Sequence, residues 1–266
     1  MSTLGKAVRL RRLKNPESGH ILTVALDHAP SYGIMEGLEN IRWVVEQVAH
    51  GGPDAMMLMK GTAERCFQSY AGQIALILKC STLSPLHPEQ DVWVSPVEDA
   101  LRLGADAIAM AVTVGSPYQP QILANLAALV REAERVGMPV IAHAYPNGGL
   151  IPPEERYSAA RVAYAARLVM ELGVDIVKTF YTGSAETFAQ VVEAATPALV
   201  VAAGGPRLET EADVLRMAYD VMRAGAAGIT FGRNVWQHAT PAKILRALAA
   251  IVHEKQSVAR ALEALK

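Results

Sequence analysis

Residues 165–178 read Ala-Ala-Arg-Leu-Val-Met-Glu-Leu-Gly-Val-Asp-Ile-Val-Lys, and three signals follow one another within them. Apolar residues at helical spacing run up to Leu172. Gly173 then offers a position for the left-handed turn that ends a helix, and a short apolar run from Asp175 finishes on Lys178. The stretch is a helix end, its stop signal and a buried strand carrying a cation at its tip. The same junction recurs at Leu103-Gly104-Ala105-Asp106, Val136-Gly137-Met138-Pro139 and Ala224-Gly225-Ala226-Ala227-Gly228, each time just before a new apolar run.

Outward from that junction, short apolar runs followed by longer amphipathic ones fill nearly the whole chain. The pattern predicts strands at Ile21–Asp27, Ala55–Lys60, Ile74–Cys80, Ala107–Thr113, Pro139–Tyr145, Asp175–Lys178, Ala198–Ala203 and Gly228–Gly232. Helical periodicity follows each of them, at Leu38–Val48, Ala63–Tyr70, Pro96–Leu103, Gln121–Val136, Pro153–Leu172, Ala185–Ala194, Glu211–Ala224 and Pro241–His253. Thr210, with Asp213 three residues on, reads as the cap that opens the seventh of these helices. Eight strand–helix units without a proline-rich linker predict a single (β/α)8 barrel over residues 1–266, the α/β class, in a chain of 266 residues. Residues 1–20 are expected as an N-terminal extension and residues 255–266 as an added C-terminal helix. An open doubly wound sheet would place a glycine-rich phosphate loop after the first strand, where this chain has Asp27-His28-Ala29-Pro30. Ser81 to Ser95, containing Pro85, His87 and Pro88, reads as a long loop on the catalytic face, placed to act as a cover.

Composition narrows the partners. With 25 basic and 26 acidic residues the formal net charge is -1, which leaves no electrostatic footprint for nucleic acid. Cys66 and Cys80 are too few for a disulfide framework or a zinc cluster and suit a reducing compartment, so the cytoplasm is the expected location. The basic N-terminus lacks the apolar core of a signal peptide, and no apolar run approaches the roughly 20 residues of a membrane helix.

In a barrel, chemistry sits at the C-terminal ends of the strands, so polar residues that close apolar runs are the candidates. Asp27 and His28 close the first, Lys60 the second, Lys79 the third, His143 and Tyr145 the fifth and Lys178 the sixth, while Arg233 follows the eighth. A buried lysine whose pKa falls from ~10.4 towards 7–8 is a free amine able to attack a carbonyl. The bland alternative is a lysine that reaches water or pairs with a carboxylate. Tyr145 suits a proton relay and Asp27 an anchor for substrate hydroxyls, as against a packing residue and a loop cap. His28 and His143 are further candidates for substrate contact, His143 also being suited to the polar rim. Ala203-Gly204-Gly205-Pro206-Arg207 and Phe231-Gly232-Arg233-Asn234 follow the last two strands, where barrels commonly bind phosphate; ordinary tight turns are the alternative. The scattered histidines form no metal-spacing cluster, and neither a G-x-S-x-G elbow nor a Walker loop is present. No metal and no cofactor are expected.

Taken together, LDHAPSYG (26–33), HAYPNGG (143–149), DIVKTFYTG (175–183), AAGGP (202–206) and FGRNVWQ (231–237) resemble the archaeal-type class I fructose-bisphosphate aldolases and their relatives in the DeoC/FbaB aldolase family. The resemblance implies an aldehyde-lyase in which Lys178 forms an imine with a ketose or dihydroxyacetone phosphate. It makes Tyr145 the acid/base at the reacting carbons and Asp27 the holder of hydroxyls, with the Gly204-Gly205 and Gly232-Arg233 turns clamping the phosphate. It further implies a metal-free enzyme, a phosphorylated sugar as partner, and assembly into homo-oligomers, often decamers. Two positions depart from the family. His143 stands where an aromatic is usual, and Asn147 replaces the arginine of a Tyr-Pro-Arg-Gly tetrad, which removes an anchor for a distal phosphate. An acceptor with a different polar tail follows, as in a transaldolase-type synthase of the amino-dideoxyheptulosonate kind. A silent barrel that binds a sugar phosphate is the non-enzymatic alternative.

Overall fold

The computed structural model describes residues 4–265. Its strands are β1 (Ile21–Ala25), β2 (Ala55–Met59), β3 (Ala75–Lys79), β4 (Ser81–Ser84), β5 (His87–Trp93), β6 (Ala107–Thr113), β7 (Val140–Tyr145), β8 (Ile176–Phe180), β9 (Leu199–Ala203) and β10 (Gly228–Phe231). Eight of them close a parallel barrel in the order β1-β10-β9-β8-β7-β6-β3-β2, while β4 and β5 form a separate antiparallel pair. The helices are α1 (Leu4–Arg12), α2 (Ala29–Tyr32), α3 (Ile41–Ala49), α4 (Lys60–Cys66), α5 (Val97–Arg102), α6 (Gln119–Val136), α7 (Ala159–Glu171), α8 (Ala185–Ala195), α9 (Glu211–Arg223), α10 (Arg233–Trp236), α11 (Pro241–Val252) and α12 (Val258–Glu263). The expected (β/α)8 barrel is thus the fold.

Strand side chains alternate between the barrel interior and the helix layer. One row packs outward: Met56 and Leu58 of β2, Leu76 and Leu78 of β3, and Val177 of β8 belong to the large apolar cluster under the helices. The other row points inward: Ala55 and Met57, Ala75 and Ile77, Ile141, Ile176 and Val201 fill the lower half of the barrel. Leu13, fully buried just after α1, plugs this cluster from below. Around it Lys6 pairs with Asp175 at 3.0 Å, Arg12 with Asp106 at 3.4 Å, and Arg9 donates to the Gly137 carbonyl at 3.1 Å. The other oxygen of Asp175 accepts the Val140 N–H at 2.9 Å, so one carboxylate ties α1 to the starts of β7 and β8.

The turn chemistry follows expectation. Gly104, Gly137, Gly173 and Gly225 all have positive φ, from 63° to 92°, and the Thr210 side chain accepts the Asp213 N–H. Three differences from expectation stand out. The expected helix over 153–172 is a 3-10 turn at Pro153–Glu155 followed by a new start at α7, because the Ser158 hydroxyl accepts the Arg161 N–H and caps a fresh helix. The expected loop of Ser81 to Ser95 is the β4–β5 hairpin. It is pinned by Ser116 Oγ donating to the Glu89 carbonyl at 2.8 Å, by the Gly149 N–H donating to the Glu89 carboxylate, and by a 3.1 Å bond between Ser31 and Thr82 hydroxyls. Finally, Lys178 does not end its strand: β8 continues through Thr179, whose hydroxyl donates to the Ala144 carbonyl at 2.7 Å, to Phe180. A charged residue marks a strand boundary only when it must reach water, and this one does not.

Barrel closure between β1 and β10 leaves no space at Gly228. A Cβ there would lie 1.9 Å from the Ile21 carbonyl oxygen, a backbone atom that cannot move without opening the ladder. Gly228→Ala is therefore expected to destabilise the protein by at least about 2 kcal/mol, lowering the melting temperature by roughly 4–8 °C. Circular dichroism melts of both proteins check this; equal melting temperatures contradict the close approach.

Candidate active site

Three lysines close apolar runs, and strand parity separates them. Lys79 continues the inward row of Ala75 and Ile77, and Lys178 continues that of Ile176, so both enter the barrel, each only 5% exposed. Lys60 falls on the outward row after Leu58. Its side chain, 39% exposed, opens α4 and bonds Asp99 at 3.0 Å outside the barrel. Position at a run end had made the three equal, and the two-residue repeat does not.

Lys178 sits in register with His143 of β7 and Val201 of β9. Burial drives its pKa from 10.5 down to about 8, against the attraction of Asp27 and with help from the Lys79 charge. A pKa this low supplies an appreciable fraction of free amine near neutral pH. Asp27 lies in the loop beyond β1. Burial alone would raise its pKa, but Lys178, His28 and Lys79 together hold it below the ordinary value, so it is a carboxylate. His28 Nδ1 is 3.6 Å from Asp27 Oδ1. Burial, reinforced by Lys178 and Arg233, lowers the His28 pKa to about 4, and its ring is neutral.

Tyr145 ends β7 on the inward row. Burial raises its pKa well above the ordinary value, with Tyr32 and Asp27 adding to the effect, so the phenol keeps its proton. Its ring stacks on Phe180 with centroids 4.5 Å apart, and Phe180 in turn meets Tyr157 at 4.8 Å. The continuation of β8 to Phe180 is what orients the phenol.

His143 is only 3% exposed, inside the barrel and beside Lys178, which corrects its expected place at the polar rim. Burial and the Lys178 and Lys79 charges lower its pKa well below the usual value, and its Nε2 has no hydrogen-bond partner. The inward row of β7 dictates this position, as it does for Tyr145.

These groups share a small cavity of about 80 Å³ at the C-terminal end of the barrel, lined by Asp27, His28, His143, Tyr145 and Lys178. A larger groove of about 710 Å³ opens at the other end, beside α1, far from this cluster. The predicted glycine turns do not line the small cavity, although Gly232 lies against the His28 ring that does. A Cβ on Gly232 would meet the His28 ring at 2.6 Å, so glycine is what lets that ring lie against the turn. Trp236 backs the ring edge-on at 5.4 Å and donates from its indole to the Ala25 carbonyl at 3.1 Å. Arg233 reaches the same space electrostatically, and its Nε is buried with no partner. Asn234 shapes the other turn, donating to the Gly204 carbonyl at 2.7 Å and to the Pro206 carbonyl at 3.2 Å while accepting the Leu208 N–H at 2.8 Å. A Cβ on Gly204 would press into Phe231 at 2.9 Å.

The hairpin contributes a residue that sequence reasoning missed. Asp91 of β5 is 6% exposed and lines the cavity. Burial raises its pKa, aided by Asp27 and opposed by Lys79 and Ser81. Nothing local in the sequence marks this acid; it stands at the one buried position of a strand elsewhere exposed or half-buried, which is readable only once 87–93 is known to be a strand. Lys79 Nζ is engaged elsewhere, donating to the Ser81 carbonyl and to Ser81 Oγ at 2.9 Å. Among the described residues no group of three or more histidines, cysteines or acids is placed to hold a metal ion, and no helix is long and apolar enough to cross a membrane.

The chain is similar to known aldolases. The profile of DeoC/LacD family aldolases matches residues 21–238. A relative from Halobacterium salinarum, named 2-amino-3,7-dideoxy-D-threo-hept-6-ulosonate synthase, is 37% identical over 256 residues, covering 96% of this chain and 94% of its own length. The class 1 fructose-bisphosphate aldolase of Thermoproteus tenax is 34% identical over 251 residues, covering 92% of this chain and 94% of its own. Among solved structures, an archaeal fructose-1,6-bisphosphate aldolase, described with its catalytic lysine covalently bound to the carbinolamine intermediate of the substrate, superposes with a TM-score of 0.85 at 31% identity, covering 93% of this chain and 99% of its own. A barrel with a buried, partly deprotonated lysine beside a phenol and a carboxylate, and a profile match over most of its length, make this chain a member of the DeoC/LacD family of aldolases.

Proposed function

We propose that the protein is a Schiff-base aldolase that uses Lys178 to make or cleave a carbon–carbon bond in a phosphorylated ketose. The observation that carries this reading is the Lys178 amine, buried with a pKa of about 8 between the Asp27 carboxylate and the Tyr145 phenol. In the bond-forming direction the free amine attacks the carbonyl carbon of the donor, and the carbinolamine then loses water to give an iminium. Loss of a proton from the adjacent carbon forms the enamine, whose carbon attacks the acceptor aldehyde. The new alkoxide takes a proton, and water releases the product and restores the amine. Tyr145 carries these protons at the reacting carbons, since its phenol is protonated and held by the Phe180 stack. Asp27, charged beside Lys178, stabilises the iminium and accepts hydrogen bonds from donor hydroxyls.

The donor phosphate is assigned to the Gly204-Gly205 and Gly232-Arg233 turns, supported by the unpartnered Arg233 Nε. Dihydroxyacetone phosphate is the simplest donor with this chemistry. A second reading concerns the acceptor. Asn147, lining the cavity where an arginine would anchor a distal phosphate, favours an acceptor with another polar head, and the relative from Halobacterium salinarum is named for an amino-bearing product. On this reading the reaction is a synthesis of the amino-dideoxyheptulosonate kind rather than the cleavage of fructose 1,6-bisphosphate.

Incubation with dihydroxyacetone phosphate followed by borohydride reduction is expected to leave a reduced adduct on the Lys178 peptide and none in Lys178→Ala. Tyr145→Phe is expected to keep the adduct while turnover falls ~10²–10⁴-fold. Folded wild-type protein that traps no such ketone on Lys178 would sink the proposal. The pH profile gives an independent check. Imine formation needs the free amine, so its rate is expected to rise with pH through about 8 and level off above it. Because Asp27 raises the Lys178 pKa, Asp27→Asn should move that midpoint to lower pH; an upward shift refutes the arrangement.

A further inference from the structure

The cavity wall on the hairpin side carries acceptor atoms that lack a partner. The hairpin that carries Asp91 follows β3, and in the closed barrel β3 stands across from β9, after which the first glycine turn lies. Lys178 projects from β8 beside β9, so a donor held at the glycine turns presents its reacting carbon towards the hairpin side. Both carboxylate oxygens of Asp91 are buried and form no hydrogen bond of normal geometry, though the Ser81 hydroxyl lies close enough to oppose the rise in its pKa, and Oδ1 of Asn147 is buried without a partner. A buried carboxylate without donors is costly, and its natural complement is a desolvated cation or a strong hydrogen-bond donor. The nearby Lys79 does not supply this, because its ammonium is turned to Ser81. A second phosphate would meet the opposite of what it needs on this wall.

We infer that Asp91 is a specificity-determining residue that receives a cationic amino group on the acceptor aldehyde, with Asn147 beside it offering whichever edge of its amide the neighbouring atoms require. This rests on the aldolase reading above and sharpens it at the acceptor. An ammonium fits better than a hydroxyl, since two unpaired oxygens of one buried acid can be satisfied by a single group with three donors, and charge is matched as well. The tethers that hold the hairpin, Ser116 and Gly149 on Glu89 and Ser31 on Thr82, keep the carboxylate in place before any substrate arrives.

The test uses full-length protein, dihydroxyacetone phosphate as donor, and three acceptors of equal length: 3-aminopropanal, 3-hydroxypropanal and butanal. Wild type is expected to favour them in that order by kcat/KM. Asp91→Asn is expected to lower kcat/KM for the amino compound about 10–100-fold relative to butanal, mostly through KM, the range for a hydrogen bond to a charged group. Asp91→Glu, which keeps the charge, should retain part of the preference. Wild type that shows no preference for the amino acceptor over butanal overturns the inference, as does Asp91→Asn with unchanged selectivity. Borohydride trapping of the donor on Lys178, measured alongside, separates this from failure of the aldolase reading: an absent adduct condemns that reading, whereas an adduct with flat selectivity condemns only the role of Asp91.

Discussion

An inward side chain in a closed eight-stranded barrel has no route to bulk water except along the barrel axis, and this restriction governs the rest of the structure. Below, the inward row is apolar and is sealed by Leu13. Above, the same row carries Lys79, His143, Tyr145 and Lys178, polar groups on positions that geometry forbids to swing outward. Burial therefore acts on all of them together. It lowers the pKa values of Lys178, His28 and His143 and raises those of Tyr145 and Asp91, while at Asp27 the cations around it outweigh burial and hold the pKa below the ordinary value. A partly deprotonated amine, neutral imidazoles, a protonated phenol and a carboxylate beside the amine is the distribution that imine chemistry requires.

The two ends of the barrel divide their tasks. At the lower end polar groups are paired: Asp175 takes both Lys6 and the Val140 N–H, and Asp106 takes Arg12. At the upper end several are not, including His28 Nδ1, His143 Nε2, both Asp91 oxygens and Arg233 Nε. Unpaired groups cost stability, and their confinement to one end marks where a ligand is meant to complete them. Their placement also has a polarity, with an unpaired guanidinium nitrogen at the turn after β10 and unpaired carboxylate oxygens on the hairpin.

Much of this was legible in the residues. The glycines before each strand and the alternation of apolar runs with amphipathic ones were enough for the barrel, because both report local backbone needs. The clustering of Asp27, His28, His143, Tyr145 and Lys178 followed from placing polar residues at strand ends. What failed did so for identifiable reasons. Lys60 entered the candidates because its run was read for its end and not for its parity, and His143 was set at the rim although it shares the parity of Tyr145. Ser81 to Ser95 read as a loop because its prolines and polar residues hide a hairpin whose partners are distant loops. Asp91 could not be found without that hairpin, since nothing local distinguishes a buried acid from a solvated one.

The hairpin is held to the barrel by side chains and N–H groups around Glu89, Thr82 and Ser116, while the residues proposed for the imine chemistry hang from β1, β7 and β8. On the proposed reading the reacting end and the selecting end of the substrate would meet parts of the chain that can change separately. A lineage could exchange the hairpin and so adopt a new aldehyde without disturbing the lysine, its phenol or its carboxylate. Catalytic power and substrate range would then be inherited as independent traits, one written in the strands and the other in one hairpin.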